Sequence, residues 1–250
     1  MGEDFSNRVT ADEIRARFDA DVERFSKLEI GQDDQSDAAL QLELVARAAL
    51  TATPQPRRIL DVGCGGGNYT LRLLQLAAEL EGSHAIERVT LIDLSANMLE
   101  RAAQRVGHAF AGEIVTQRVD VRDYDFGEAQ HDVIVTGQCL HHLRGEVEWR
   151  AVFAAMHAGL APGGGLWIVD TVEHETPAVE RMMWDRWADF LVQLGGESYR
   201  DHVLDYVRAE DTPRPLAWQL ERLREAGFAS LDVLHKSSRF ASFGGVKAVH

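Results

Sequence analysis

Between Arg57 and Val172 the chain alternates short apolar runs that stop at Gly or Asp with stretches of helical periodicity, and this rhythm restricts its fold more than any other feature. The runs are RRILDVG (57–63), RVTLIDL (88–94), IVTQRVD (114–120), DVIVTG (132–137) and GLWIVDTV (165–172). A strand apolar on both faces must be covered on both, as in a parallel sheet sandwiched between helices. The intervening periodicity predicts helices near 68–80, 96–107, 146–159 and 217–226, completing an α/β alternation. SLDVLHKSS (230–238) and FASFGGVKAV (240–249) read as two closing strands that pair antiparallel. Upstream, Ile14, Phe18, Val22 and Phe25, then Leu40, Leu44, Val45 and Ala48, recur at helical steps on either side of the polar break GQDDQSD (31–37). The expected organisation is one domain: a helical cap (1–55), a core (56–172), a helical lid insertion (173–215), and the last helix with the closing strands (216–250).

Composition narrows the function. With 250 residues and 45% hydrophobic residues the chain can bury a sizeable core. Forty acidic against 26 basic residues leave a net charge of -14, which repels a phosphate backbone and argues against nucleic acid as a partner. No run approaches ~20 apolar residues and MGEDFSNRVT lacks the marks of a secretory signal, so neither a membrane partner nor export is expected and a cytoplasmic location is. Cys64 and Cys139 are the only cysteines, too few for a disulfide framework and without zinc spacing, so no metal is expected.

In ILDVGCGGGNYT (59–70) an apolar strand carries Asp61 near its end, Gly63, Gly65 and Gly67 alternate, and an amphipathic helix follows. Glycine belongs where a backbone turns tightly and lies against a ligand. The spacing is not the GxGxxG of nicotinamide proteins, and no Walker lysine follows. The same letters also suit a purely structural turn.

With these residues the chain resembles the class I S-adenosylmethionine-dependent methyltransferases over about 57–172 and the terminal strands. The likeness is carried by the glycine loop, LIDLSANML with Asp93, RVDVRD with Asp120, HDVIVTGQCLHHL (131–143) and LAPGGGLWIVD (160–170). It implies a Rossmann-like, seven-stranded, mostly parallel sheet with an antiparallel last strand, helices on both faces and a helical cap. It implies S-adenosyl-L-methionine as cofactor, with Asp93 accepting from the ribose hydroxyls and Asp120, or its rival Asp123, accepting from the adenine amino group beside Val121. Asp61 would reach toward the amino end of the methionine moiety. Gly63, Cys64, Gly65, Gly67, Leu94, Met98 and Gln138 complete the implied cofactor set, Cys64 as a small filler of the loop.

Methyl transfer requires a base only when the nucleophile must lose a proton. His142, and after it His141, stand at the sheet edge where such a base would act, although both also suit packing. In the insertion, Met183, Trp187, Phe190, Leu191 and Leu194 share one helical face. Trp184, Trp187, Tyr199 and Arg200 are the expected substrate contacts, beneath a lid hinged at HETP (174–177) and DTPRP (211–215). The expected activity is methylation of a small, partly apolar metabolite by a monomer or homodimer. The alternatives are a carboxy-S-adenosylmethionine synthase, which residues 218–249 resemble more weakly, and a non-catalytic cofactor-binding subunit.

Overall fold

The computed structural model describes residues 8–20, 22, 35, 37–79 and 86–249. Phe25 and most of the polar break at 31–37 lie outside them. In chain order the elements are α1 (Ala11–Ala20), α2 (Ala38–Ala52), β1 (Arg58–Val62), α3 (Asn68–Glu79), β2 (Arg88–Asp93), α4 (Ala96–Ala109), β3 (Glu113–Arg118), β4 (His131–Gly137), a 3-10 turn (Leu140–His142), α5 (Gly145–Gly159), β5 (Leu160–Thr171), α6 (Pro177–Glu210), α7 (Leu216–Ala226), β6 (Ser230–Ser237) and β7 (Phe240–Val246).

The strands form one sheet in the order β3-β2-β1-β4-β5-β7-β6, parallel from β3 to β5, with β7 antiparallel to both of its neighbours. Strand period fixes which residues go where. Ile59, Val133, Val135, Trp167 and Val169 face the core beneath α2, α3 and α4. Their neighbours Leu60, Ile134, Leu166 and Ile168 face the opposite core against Trp149, Phe153 and Met156 of α5 and Leu223 of α7. The strand order reverses between β1 and β4, which opens a crevice at the carboxyl ends of the strands. The expected strands agree except at their ends: β3 stops at Arg118, so Asp120 lies on the loop beyond it, and β5 begins at Leu160 instead of 165.

The 173–215 insertion departs from the expected single apolar face. Gly196, at φ 82 and ψ 179, breaks α6 into two segments, and Trp187 and Leu191 of the first share a buried cluster with Val203, Leu204 and Val207 of the second and with Phe240. Leu194, just before the break, is exposed. The ends of the insertion are not free hinges. Glu173 bridges Pro215, and Thr212 N–H donates to the His141 carbonyl at 2.8 Å.

Candidate active site

The glycine loop leaves β1 at the sheet's switch point. Gly63 has φ +63, and a Cβ there would stand 2.6 Å from Cys139 Sγ, so glycine is required for conformation and for space. At Gly65 (φ +49) a Cβ would meet nothing, because that side faces a cavity. The Gly65 N–H donates to Asp93 Oδ2 at 2.9 Å and the Ser95 N–H to Oδ1 at 2.8 Å. These bonds hold the Asp93 carboxylate at the end of β2 while burial raises its pKa. Each oxygen keeps a lone pair for a further donor.

The cavity, about 310 Å³, is lined by nine of the eleven expected cofactor residues: Gly63, Cys64, Gly65, Asp93, Leu94, Met98, Asp120, Val121 and Gln138. Gly67 is not among the lining residues, and neither is Asp61. Asp61 lies fully buried behind the wall, where Oδ2 accepts from Thr70 Oγ1 at 2.7 Å while Oδ1 has no partner, and burial pushes its pKa up to about 7. Asp120 is gripped by Arg122, whose Nε reaches Oδ1 at 2.8 Å and whose Nη2 reaches Oδ2 at 2.5 Å. Burial acts against ionisation, but these bonds hold its carboxyl below the usual range. The rival Asp123 is exposed and does not line the cavity. Val9, Ile14 and Phe18 of the N-terminal segment and Leu42 of α2 also line it.

These residues fit S-adenosylmethionine. Asp93 offers charged acceptors, the loop backbone approaches without a side chain at Gly65, Ile92, Met98 and Leu143 give an apolar wall, and Gln138 Nε2 is a buried donor with no protein partner.

Beside this cavity a smaller one, about 40 Å³, shares Phe18, Gln138 and His142 with it and is walled by Arg17, His141, Trp187, Tyr206 and Asp211. His141 Nδ1 lies 2.5 Å from Asp170 Oδ1, at the end of β5, and Nε2 lies 3.6 Å from Asp211 Oδ1, at the end of α6. Burial alone would lower its pKa, but the two carboxylates outweigh burial and raise it to about 9. The two carboxylates thus favour the protonated ring at His141, a form with no lone pair to accept a proton. His142 is the opposite case. Burial, the His141 cation and Arg17 push its pKa well below the ordinary value, and both of its ring nitrogens are buried without a hydrogen-bond partner. His141, His142 and Asp211 bring three metal-ligating atoms within 4.8 Å of one another.

Of the expected substrate contacts, Trp187 alone lines either cavity. Trp184 donates from Nε1 to Glu180 at 2.7 Å and lies 3.7 Å beneath the Arg239 guanidinium. Tyr199 packs in the α6 cluster, and Arg200 pairs with Asp201 at 2.8 Å. Their places are set by the fold-back at Gly196. Sequence reasoning missed Asp211, Tyr206, Arg17 and Asp170. Asp170 could have been found as the acid ending the fifth strand. The others have no local signal, because tertiary packing brings them to the site from distant segments.

A family model described as a methyltransferase domain matches residues 59–164. A carboxy-S-adenosyl-L-methionine synthase of Aeromonas hydrophila is 28% identical over 80% of this chain and 78% of its own length. A ubiquinone/menaquinone biosynthesis C-methyltransferase, UbiE, of Methylobacterium nodulans is 28% identical over 78% of this chain and 73% of its own. Among solved structures, the N-methyltransferase NodS of Bradyrhizobium japonicum, in complex with S-adenosyl-L-homocysteine, superposes with a TM-score of 0.60 at 18% identity, over 92% of this chain and 97% of that one. The [4+2]-cyclase SpnF superposes at 0.64 and 15% identity, over 97% and 98%. The domain match, the relatives and the crevice at the switch point agree: residues 59–164 match a methyltransferase domain, and the chain is similar to the class I S-adenosylmethionine-dependent methyltransferases.

Proposed function

We propose that the protein transfers the methyl group of S-adenosylmethionine to a small, partly apolar metabolite whose nucleophilic oxygen or carbon must give up a proton, and that His142 takes that proton. The observation that carries this reading is the position of the His142 imidazole, whose ring nitrogens make no close hydrogen bond, where the cofactor cavity meets the smaller chamber. The cofactor, when bound, supplies a methyl group activated on a sulfonium. The chain's residues do the rest. Asp93 holds the ribose, Asp120 and Val121 hold the adenine, and Gln138 serves the amino-acid end, while Asp61, behind the wall, braces the loop through Thr70. Phe18, Trp187 and Tyr206 form the apolar wall that orients the acceptor and excludes water. Helices α1 and α2 of the cap and α6 of the insertion close the site. The net charge of -14 favours a small molecule over a nucleic acid, and we place the enzyme in the cytoplasm as a monomer or homodimer.

The C-methyltransferase named among the relatives favours an acidic carbon as acceptor. The carboxy-S-adenosylmethionine synthase relatives favour a second reading, in which the cofactor itself is modified. Mass spectrometry of the cofactor that co-purifies with the protein separates the two readings. The test of the main one is incubation with methyl-labelled S-adenosylmethionine and a deproteinised metabolite extract. Label is expected in the small-molecule fraction, and label confined to RNA or protein would overturn the reading. His142→Ala is expected to slow transfer by roughly 10²–10⁴ while leaving cofactor affinity unchanged. Because His142 is held neutral far below its ordinary pKa, the rate should be flat with pH near neutrality and fall only in acid.

A further inference from the structure

His142 is surrounded by cations. His141 on its own turn, Arg17 from α1 and Arg144 after the turn all disfavour a proton on its ring, and the Glu210 backbone carbonyl is a weaker influence in its favour. A base that must gain a positive charge in this setting needs a carboxylate close by. Asp211, at the end of α6, supplies one: its Oδ1 lies 3.7 Å from His142 Nδ1 as well as 3.6 Å from His141 Nε2.

Asp211 is held there by several contacts. The Thr212 hydroxyl donates to the Leu143 carbonyl at 2.6 Å and the Thr212 N–H to the His141 carbonyl at 2.8 Å. Arg144 donates to the Glu210 carbonyl at 2.5 Å and to Thr212 Oγ1 at 3.1 Å. Asp170 at the end of β5 fixes His141 on its other side. The charged groups that act on Asp211 are His141, Glu210, Arg239 and Asp170, and Glu210 is itself paired with Arg17 at 2.6 Å.

We propose that Asp211 is a positioning residue for methyl transfer, orienting His142 through Nδ1–H so that Nε2 presents its lone pair to the acceptor. The inference rests on His142 being the base. A separation of 3.7 Å is longer than a hydrogen bond, and catalytic contacts of this kind commonly tighten only when the site fills. In the transfer step, Nε2 takes the acceptor's proton as the acceptor's electron pair bonds to the methyl carbon and the carbon–sulfur pair returns to sulfur. The positive charge lost at sulfur reappears on His142, between Asp211 and the acceptor, and Asp211 stays ionised throughout. The paired arrangement Asp170–His141–Asp211 keeps a fixed cation behind the carboxylate, which holds Asp211 in place.

The test combines spectroscopy with rates. Nitrogen NMR of the full-length protein saturated with S-adenosylhomocysteine should show His142, assigned by its loss in His142→Ala, as the Nδ1–H tautomer. Asp211→Asn should shift that population. The same variant should lower the initial rate of label transfer to the metabolite extract about tenfold or more, within the roughly 10²–10⁴ that a positioned base contributes. It should leave S-adenosylhomocysteine affinity unchanged and cause no further loss when added to His142→Ala. Asp211→Glu should restore part of the rate.

An unchanged rate in Asp211→Asn beside a slow His142→Ala would overturn the role of Asp211 and leave His142 as base. An unchanged rate in His142→Ala would remove the base, and Asp211's role with it. A loss that persists in the double variant would show that Asp211 acts by another route. An Nε2–H tautomer in the wild-type protein overturns the assignment even if no Asp211 variant folds. Activity abolished by a chelator and restored by a divalent cation would also overturn it, by putting a metal among the three donor atoms in place of the proton.

Discussion

Asp93 is a half-buried carboxylate facing the crevice and Asp61 a fully buried one behind it, and their hydrogen bonds give them different work. Asp93 receives one backbone donor on each oxygen and still faces the cavity. Replacing it with alanine removes charge-assisted bonds worth roughly 1.5–3 kcal/mol, so calorimetry should find S-adenosylhomocysteine bound about ten- to a hundredfold more weakly by a folded Asp93→Ala. Asp61 is sealed behind the wall with one oxygen unpartnered, and its effect should appear in stability. Its folded pKa of about 7 lies above that of an ordinary aspartate, so between about pH 4 and 7 the native state binds a proton that the unfolded chain has lost. That contribution is present in acid and is lost as pH rises through 7. Urea midpoints measured from pH 5 to 8 should therefore fall further in the wild type than in Asp61→Asn, whose side chain cannot ionise. Parallel curves would show that Asp61 does not titrate in this window.

The glycine loop is the element on which cofactor binding depends most directly. Since a Cβ at Gly65 meets no protein atom, a side chain there extends into the cavity, and φ +49 is unfavourable for a β-branched residue. Gly65→Val should abolish S-adenosylhomocysteine binding while circular dichroism remains native, and near-wild-type affinity would move the cofactor away from this loop. Helix α6 shows the reverse relation between pattern and position. Its aromatic residues read as one face of one helix, but Gly196 folds the chain back, so Trp187 turns inward to Phe240 at a ring separation of 5.8 Å while Leu194 stays in solvent.

Across the whole molecule, α1 bridges the crevice. Arg17 pairs with Glu210 at 2.6 Å on the α6 side, and Asp19 accepts from Ser95 Oγ at 2.5 Å on the α4 side. The smaller chamber, about 40 Å³, is too small for a metabolite unless α1 or α6 moves. Hydrogen exchange in residues 8–20 and 177–210 should slow on adding cofactor product with the metabolite extract, beyond the effect of cofactor product alone. Equal protection in the free protein would make them rigid walls. Local chemistry by itself determined the parallel sheet and the loop that needs glycine, because apolar runs and tight turns are properties of adjacent residues, whereas Asp93 stood out through the resemblance to the class I methyltransferases. Asp120 was ambiguous beside Asp123, and the fold lines the cavity with Asp120, paired with Arg122, and leaves Asp123 exposed. The two histidines look alike in LHHL, and only the fold separates them. Asp170 and Asp211, 29 and 70 residues from His141, make one ring a cation, while burial among cations keeps its neighbour neutral. Charge state inside a protein depends on what lies across space, and spacing along the chain does not contain that information.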